Sequence, residues 1–140
     1  MEKKVKISVE TTVKAPLESV WELWTDPKHI VEWNSASDDW HTTKAENDLR
    51  AGGRFTSRME AKDGSMGFDF GGTYDVVRQN ELISYTLDDN RKVTIAFSSK
   101  DGETKIMETF EAENENSTEM QRAGWQAIID RFKTYAESKN

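Results

Sequence analysis

Few groups in the chain could do chemistry, and the densest run of them is Asp38-Asp39-Trp40-His41, an imidazole beside two carboxylates. An imidazole titrates near pH ~6.5, so His41 has the chemistry of a general base. The competing reading is a rim histidine that makes one ordinary hydrogen bond. Glu108 is the other weak candidate for a catalytic base. It shares the parity of Ile106 and Phe110 along a strand, which points its carboxylate inward and leaves it in want of a partner. Arg58 and Asp69 form a third group. Alternation with Phe55 and Phe68 places them on the outer face as an exposed cross-strand pair, unless a bulge at Gly71-Gly72 reverses the side locally. Ser8, Ser57, Ser84 and Ser98 lack a G-x-S-x-G setting, so nucleophilic catalysis has no support. With two histidines, no cysteine and no HExxH spacing, neither a metal site nor a cofactor is expected. His29 reads as solvent-facing. Gly52-Gly53-Arg54 opens no helix and is therefore a turn rather than a phosphate cradle.

Short elements must position these groups. Val5, Ile7, Val9, Thr11 and Val13 alternate with polar residues, as in a half-buried strand. Ala15-Pro16 ends it and opens a helix with Pro16 at the first helical position; Asp26-Pro27 then opens a second short helix that buries Ile30, Val31 and Trp33. Trp40 to Thr43 is a short strand and Asp48 to Gly53 a turn. A strand through Phe55, Ser57 and Met59 turns at Lys62-Asp63-Gly64-Ser65. The return strand carries Phe68, Phe70, Gly72, Tyr74 and Val76 on one face, and its glycines imply a strong bend. Strands over 82–87, 93–98 and 104–110 follow, linked by turn-rich segments that make neighbours antiparallel.

Asn116 to Lys139 reads as one long helix. Trp125, Ile128, Ile129, Phe132, Tyr135 and Ala136 form a continuous apolar stripe along it. Asn116 with Glu119, and Thr118 with Gln121, both have capping-box spacing, and the choice between them is open. The stripe is strong in the second half of the helix and sparse from Glu119 to Ala123. Gly124 reads as the point where the helix approaches the sheet closely. The order is β-α-α-β-β-β-β-β-β-α, an α+β fold in which a bent antiparallel sheet grips the long C-terminal helix, with two short helices after strand 1. No linker interrupts residues 1–140, which reads as a single domain.

Composition narrows the function. The formal charge is −7, from 26 acidic and 19 basic residues, and the basic ones are scattered, so nucleic acid and anionic membrane are not expected as partners. The run MEKKVKISVE has no apolar core and no stretch approaches ~20 apolar residues, so a soluble, cytoplasmic protein is expected. Five tryptophans in an otherwise polar chain imply a core, a cavity, or both.

Ala15-Pro16 with Val20-Trp21, Trp24-Thr25-Asp26-Pro27, Trp33-Asn34, Ser37 to His41, Gly52 to Phe55, Asp63-Gly64 with Phe68, Gly72-Thr73-Tyr74 and Gly124-Trp125 carry a resemblance. Over roughly Ile7 to Tyr135 the chain resembles the bacterial single-domain members of the activator of heat-shock-protein ATPase homologue family, in the START-like (SRPBCC, polyketide cyclase-like) helix-grip superfamily. The resemblance implies a helix-grip fold with a hydrophobic cavity between sheet and C-terminal helix, and the sparse stripe from Glu119 to Ala123 is where that cavity is expected to open. The resemblance makes Trp24, Trp33, Trp40, Met59, Met66, Phe68, Phe70, Tyr74, Tyr85, Phe97, Met107, Trp125 and Ile129 the ligand-binding candidates, although each alone also reads as core. Non-catalytic binding of a small hydrophobic or aromatic ligand is the first expectation. The alternatives are a chaperone ATPase co-regulator acting through a protein surface, with a heat-shock chaperone as partner in a stress response, and a cyclase- or hydrolase-like enzyme using His41 or Glu108.

Overall fold

The computed structural model describes residues 5–139, which form β1 (Lys6–Val13), α1 (Leu17–Thr25), α2 (Pro27–Trp33), β2 (Trp40–Asn47), β3 (Arg54–Ala61), β4 (Gly67–Arg78), β5 (Leu82–Leu87), β6 (Lys92–Lys100), β7 (Glu103–Glu111) and α3 (Thr118–Ser138). The strands make one seven-stranded antiparallel sheet in the order β1-β7-β6-β5-β4-β3-β2. It curls into a half-barrel around α3, so this is the α+β helix-grip architecture. Among the described residues no helix is long and apolar enough to cross a membrane.

Period-two burial builds the sheet. In β6 Val93, Ile95 and Phe97 point inward, and in β7 Thr104, Ile106, Glu108 and Phe110 do. Ile7, Val9 and Val13 do the same in β1, whereas Val5, expected on that face, precedes the strand and is exposed. The curl needs the paired glycines of β4. A Cβ on Gly72 would lie 2.5 Å from the Thr86 carbonyl oxygen, and one on Gly71 would lie 2.9 Å from that of Phe55. The bulge lies farther along, between Tyr74 and Val76. It turns Val77 toward the core opposite Ile83 and leaves Val76 opposite Ser84, so the inward place expected for Val76 belongs to Val77. β2 extends through Asn47, beyond the expected Thr43, because β3 offers a matching ladder.

Helix ends follow local rules. Asp26 caps α2 by accepting a hydrogen bond from the Lys28 amide, with Pro27 at the first helical position. Pro16 is itself the residue before α1 rather than its first residue. Neither expected cap starts α3: Ser117, in extended conformation between the two, accepts the Met120 amide at 3.1 Å. Its side chain satisfies an amide that would otherwise lack a partner. Trp33 is buried in α2, while Ile30 and Val31 are only half-buried.

The core lies under the second half of α3. Ile129, Phe132 and Ala136 are fully buried there. The Phe132 ring meets Trp24 and Trp33 edge-on, at 4.8 and 4.9 Å between centroids. Such pairs add to the burial of apolar area, so this half of α3 anchors the helix to α1, α2 and the sheet. His29, expected to face solvent, is half-buried because its Nδ1 lies 2.7 Å from the Tyr135 hydroxyl.

Candidate ligand cavity

Where α3 loses its apolar stripe, the sheet and helix part. A cavity of about 490 Å³ lies between them. α3 lines it with Met120, Gln121, Gly124, Trp125 and Ile128. Trp125 is held by stacking on Phe110, 3.9 Å between centroids and 10° between planes. A Cβ on Gly124 would meet nothing within 4 Å, so this glycine borders empty space and does not mediate the close approach expected of it.

The aromatic wall comes from both layers. Trp24 and Trp33 lie 4.8 Å apart on the helix side. Phe55 bridges Phe70, Tyr74 and Tyr85 on the sheet side, at 6.2, 5.2 and 4.7 Å. All of these line the cavity, as do Trp40, Met59 and Phe68. Trp40 and Phe68 meet at 5.8 Å, with Phe68 47% exposed.

Four of the ligand-binding candidates lie elsewhere. Met66 follows the β3–β4 turn and is 66% exposed, on a separate shallow depression. Met107 alternates out of phase with Ile106 and Glu108 and lies on the outer face. Phe97 points inward but is sealed beneath Trp21 and Trp24, at 5.2 and 5.9 Å. Ile129 is inward and sealed in the core. Phe55 was missed although it shares the strand face of Ser57 and Met59, which was the available signal. Asn47, Arg91 and Gln121 were also missed, and no local pattern singles them out.

Several polar groups of the lining already have partners. The Tyr74 hydroxyl donates to Asn47 Oδ1 at 2.5 Å, and Asn47 Nδ2 donates to the Thr25 carbonyl at 2.6 Å. Gln121 is spent on the loop before α3, donating to the carbonyls of Glu113 and Asn116 and accepting the Glu113 amide. Arg91 Nε donates to Asp89 at 2.8 Å.

Glu108 differs. It is 5% exposed, opens on the cavity, and has neither a side-chain hydrogen bond nor an ion pair among the described residues. Its neighbours across the sheet are Val9 and Ile95. Burial alone pushes its carboxyl from 4.5 up to about 8, because no nearby charge or donor favours the ionised form. The Tyr85 phenol is pushed well above its usual value, first by burial and then by Glu108. His41 is exposed and stands opposite Glu60 on β2–β3, so it shares no space with Glu108. Asp38 pairs with Arg131 of α3. Arg58 and Asp69 face each other across β3–β4 as an outer-face ion pair at 3.5 Å. Among the described residues no three His, Cys, Asp or Glu side chains converge where a metal could sit.

The model of a family described as activator of Hsp90 ATPase homolog 1-like protein matches residues 14–137. No curated protein matches the chain. The fold is similar to the solution structure of an AHSA1-like protein from Aeromonas hydrophila, with 47% identity over 96% of this chain and 94% of that one and a TM-score of 0.91. A protein of Cytophaga hutchinsonii is 53% identical over 96% and 93%, with a TM-score of 0.83. A protein of Nitrosomonas europaea shares the fold at 16% identity, covering 100% and 99%, with a TM-score of 0.84.

Proposed function

The chain belongs to the activator of Hsp90 ATPase homolog 1-like family, and from that premise we propose that it binds a small hydrophobic or aromatic molecule in the cavity beneath the first half of α3. The observation that carries this reading is the division of labour along one helix. Ile129, Phe132 and Ala136 close the core, while Gly124, where a side chain would meet nothing, leaves a space of about 490 Å³. That volume lies in the ~300–1,000 Å³ range of small-molecule sites, and the wall is mostly aromatic and aliphatic, with polar groups set among the apolar ones.

Tryptophan fluorescence tests it, because Trp24, Trp33, Trp40 and Trp125 line the space. Titration with a panel of fatty acids, flavonoids and aromatic polyketides should give saturable changes for at least one class. Gly124→Leu should weaken that binding at least ~10-fold by filling the cavity. It should leave stability unchanged or raise it by up to ~1 kcal/mol, since leucine is the better helix former. Equal loss of binding and stability would contradict the reading.

A co-regulator role stands second. It draws on the family description and on the exposed apolar pair Met66 and Phe68 at the β3–β4 hairpin. An unchanged ATPase rate of the cognate Hsp90-type chaperone on addition of the protein would remove it.

A further inference from the structure

We propose that the cavity selects hydrophobic molecules bearing a protonated amine, whose N–H groups pair with the carboxylate of Glu108. The proposal rests on the cavity reading above and adds a chemical class to it.

Three observations lead there. First, Glu108 is a buried acid aimed into the cavity without a side-chain partner among the described residues; the Ser57 and Tyr85 hydroxyls beside the same space are likewise unbonded but uncharged, while Asn47, Gln121 and Arg91 are engaged within the protein. A carboxyl in such a wall, without a protein partner, gains from a ligand that brings donors.

Second, the charge around the space is acidic. Glu108 and Glu113 line it, and its one cationic lining residue, Arg91, is paired with Asp89. A carboxylate ligand would find no free cationic partner there. Third, Trp125, Phe70 and Tyr85 line the cavity, and aromatic rings attract cations.

The proton follows. In the empty cavity the carboxyl holds its proton near neutral pH, its ionisation being displaced to about 8. Binding of an R–NH₃⁺ ion then gives the R–NH₃⁺ to carboxylate pair, and the carboxyl proton leaves to solvent. The titratable or charged groups on the elements around Glu108 are Tyr85 on β5, Arg91 in the β5–β6 turn and Glu113 after β7. β1 contributes the uncharged Val9 and α3 the uncharged Trp125 and Ile128. Below the Glu108 ionisation, affinity for the amine should therefore rise roughly tenfold per pH unit.

Three probes of one shape decide the matter: 1-naphthylmethylamine, 1-naphthalenemethanol and 1-naphthaleneacetic acid, titrated by calorimetry into the wild-type chain and into Glu108→Gln. The amine should bind at least ~10-fold more tightly than the alcohol at pH 7, with about one proton released per amine in buffers of different ionisation heat. The acid should bind less tightly than the amine. Glu108→Gln should keep alcohol binding and lose both the amine preference and the proton release, which separates recognition from mere loss of fold. Equal amine and alcohol affinities, or a preference that survives Glu108→Gln, would overturn the proposal while leaving the cavity reading intact. If no naphthyl probe binds, the proposal fails, and the wider panel above decides the cavity reading separately.

Discussion

Replacing Glu108 with glutamine should stabilise the empty protein by about 3 kcal/mol at pH 7 and by nothing measurable near pH 4. The sign follows from proton counts. Folding raises the carboxyl ionisation from 4.5 to about 8, so between those values the folded chain holds a proton that the unfolded chain has lost. Stability therefore falls as pH rises through this window. A neutral side chain of the same shape removes the penalty, which is about 1.4 kcal/mol for each unit of displacement. Urea unfolding of both proteins at pH 4, 7 and 8.5 checks it. Parallel stability curves for the two would mean that Glu108 is solvated or paired when the protein is folded.

Phe132→Ala should act in the opposite direction and at every pH, costing about 3–5 kcal/mol. Phe132 is fully buried, and its ring stands edge-on to both Trp24 and Trp33. Its removal leaves a hole where α3 is anchored, walled by rings that cannot collapse without abandoning each other. A loss that large is a sizeable share of a domain's total stability, and thermal unfolding should shift by on the order of 10 °C. A loss below ~1 kcal/mol would place the anchor of the helix elsewhere. The contrast with Gly124→Leu matters: two residues on one helix, eight positions apart, should divide cleanly into one that holds the fold and one that borders the ligand.

Much of this architecture was legible before any coordinates, for reasons that are local. Alternation in β1, β6 and β7 encodes which face is inward, and Asp26-Pro27 encodes a helix start through a side-chain acceptor and a fixed φ. What was not legible depends on partners distant in the chain. The shift from Val76 to Val77 arises from a bulge set by pairing with β5, and the cap of α3 fell to Ser117 between two residues with equally good spacing. Site residues divide along the same line. The helical stripe put Trp125 on an inner surface, and strand parity could have excluded Met107. Neither could separate Phe97 and Ile129, inward but sealed under helices, from Phe70 and Tyr85, inward and bordering space. Depth is a property of the packed layers. Gly124 shows the same limit from the other side: a missing side chain in a helix reads as close approach or as a void, and only the opposing layer decides between them.

The central claim, that a small apolar molecule occupies the space under the first half of α3, has one direct measurement. The indole N–H resonances of the five tryptophans can be followed in a ¹H–¹⁵N spectrum during titration with 1-naphthalenemethanol. Trp24, Trp33, Trp40 and Trp125 line the cavity, while Trp21 is buried outside it. The account predicts saturable shifts at Trp125 and at Trp24 or Trp33, with Trp21 nearly still. Shifts of similar size at all five, or none at any, would contradict it.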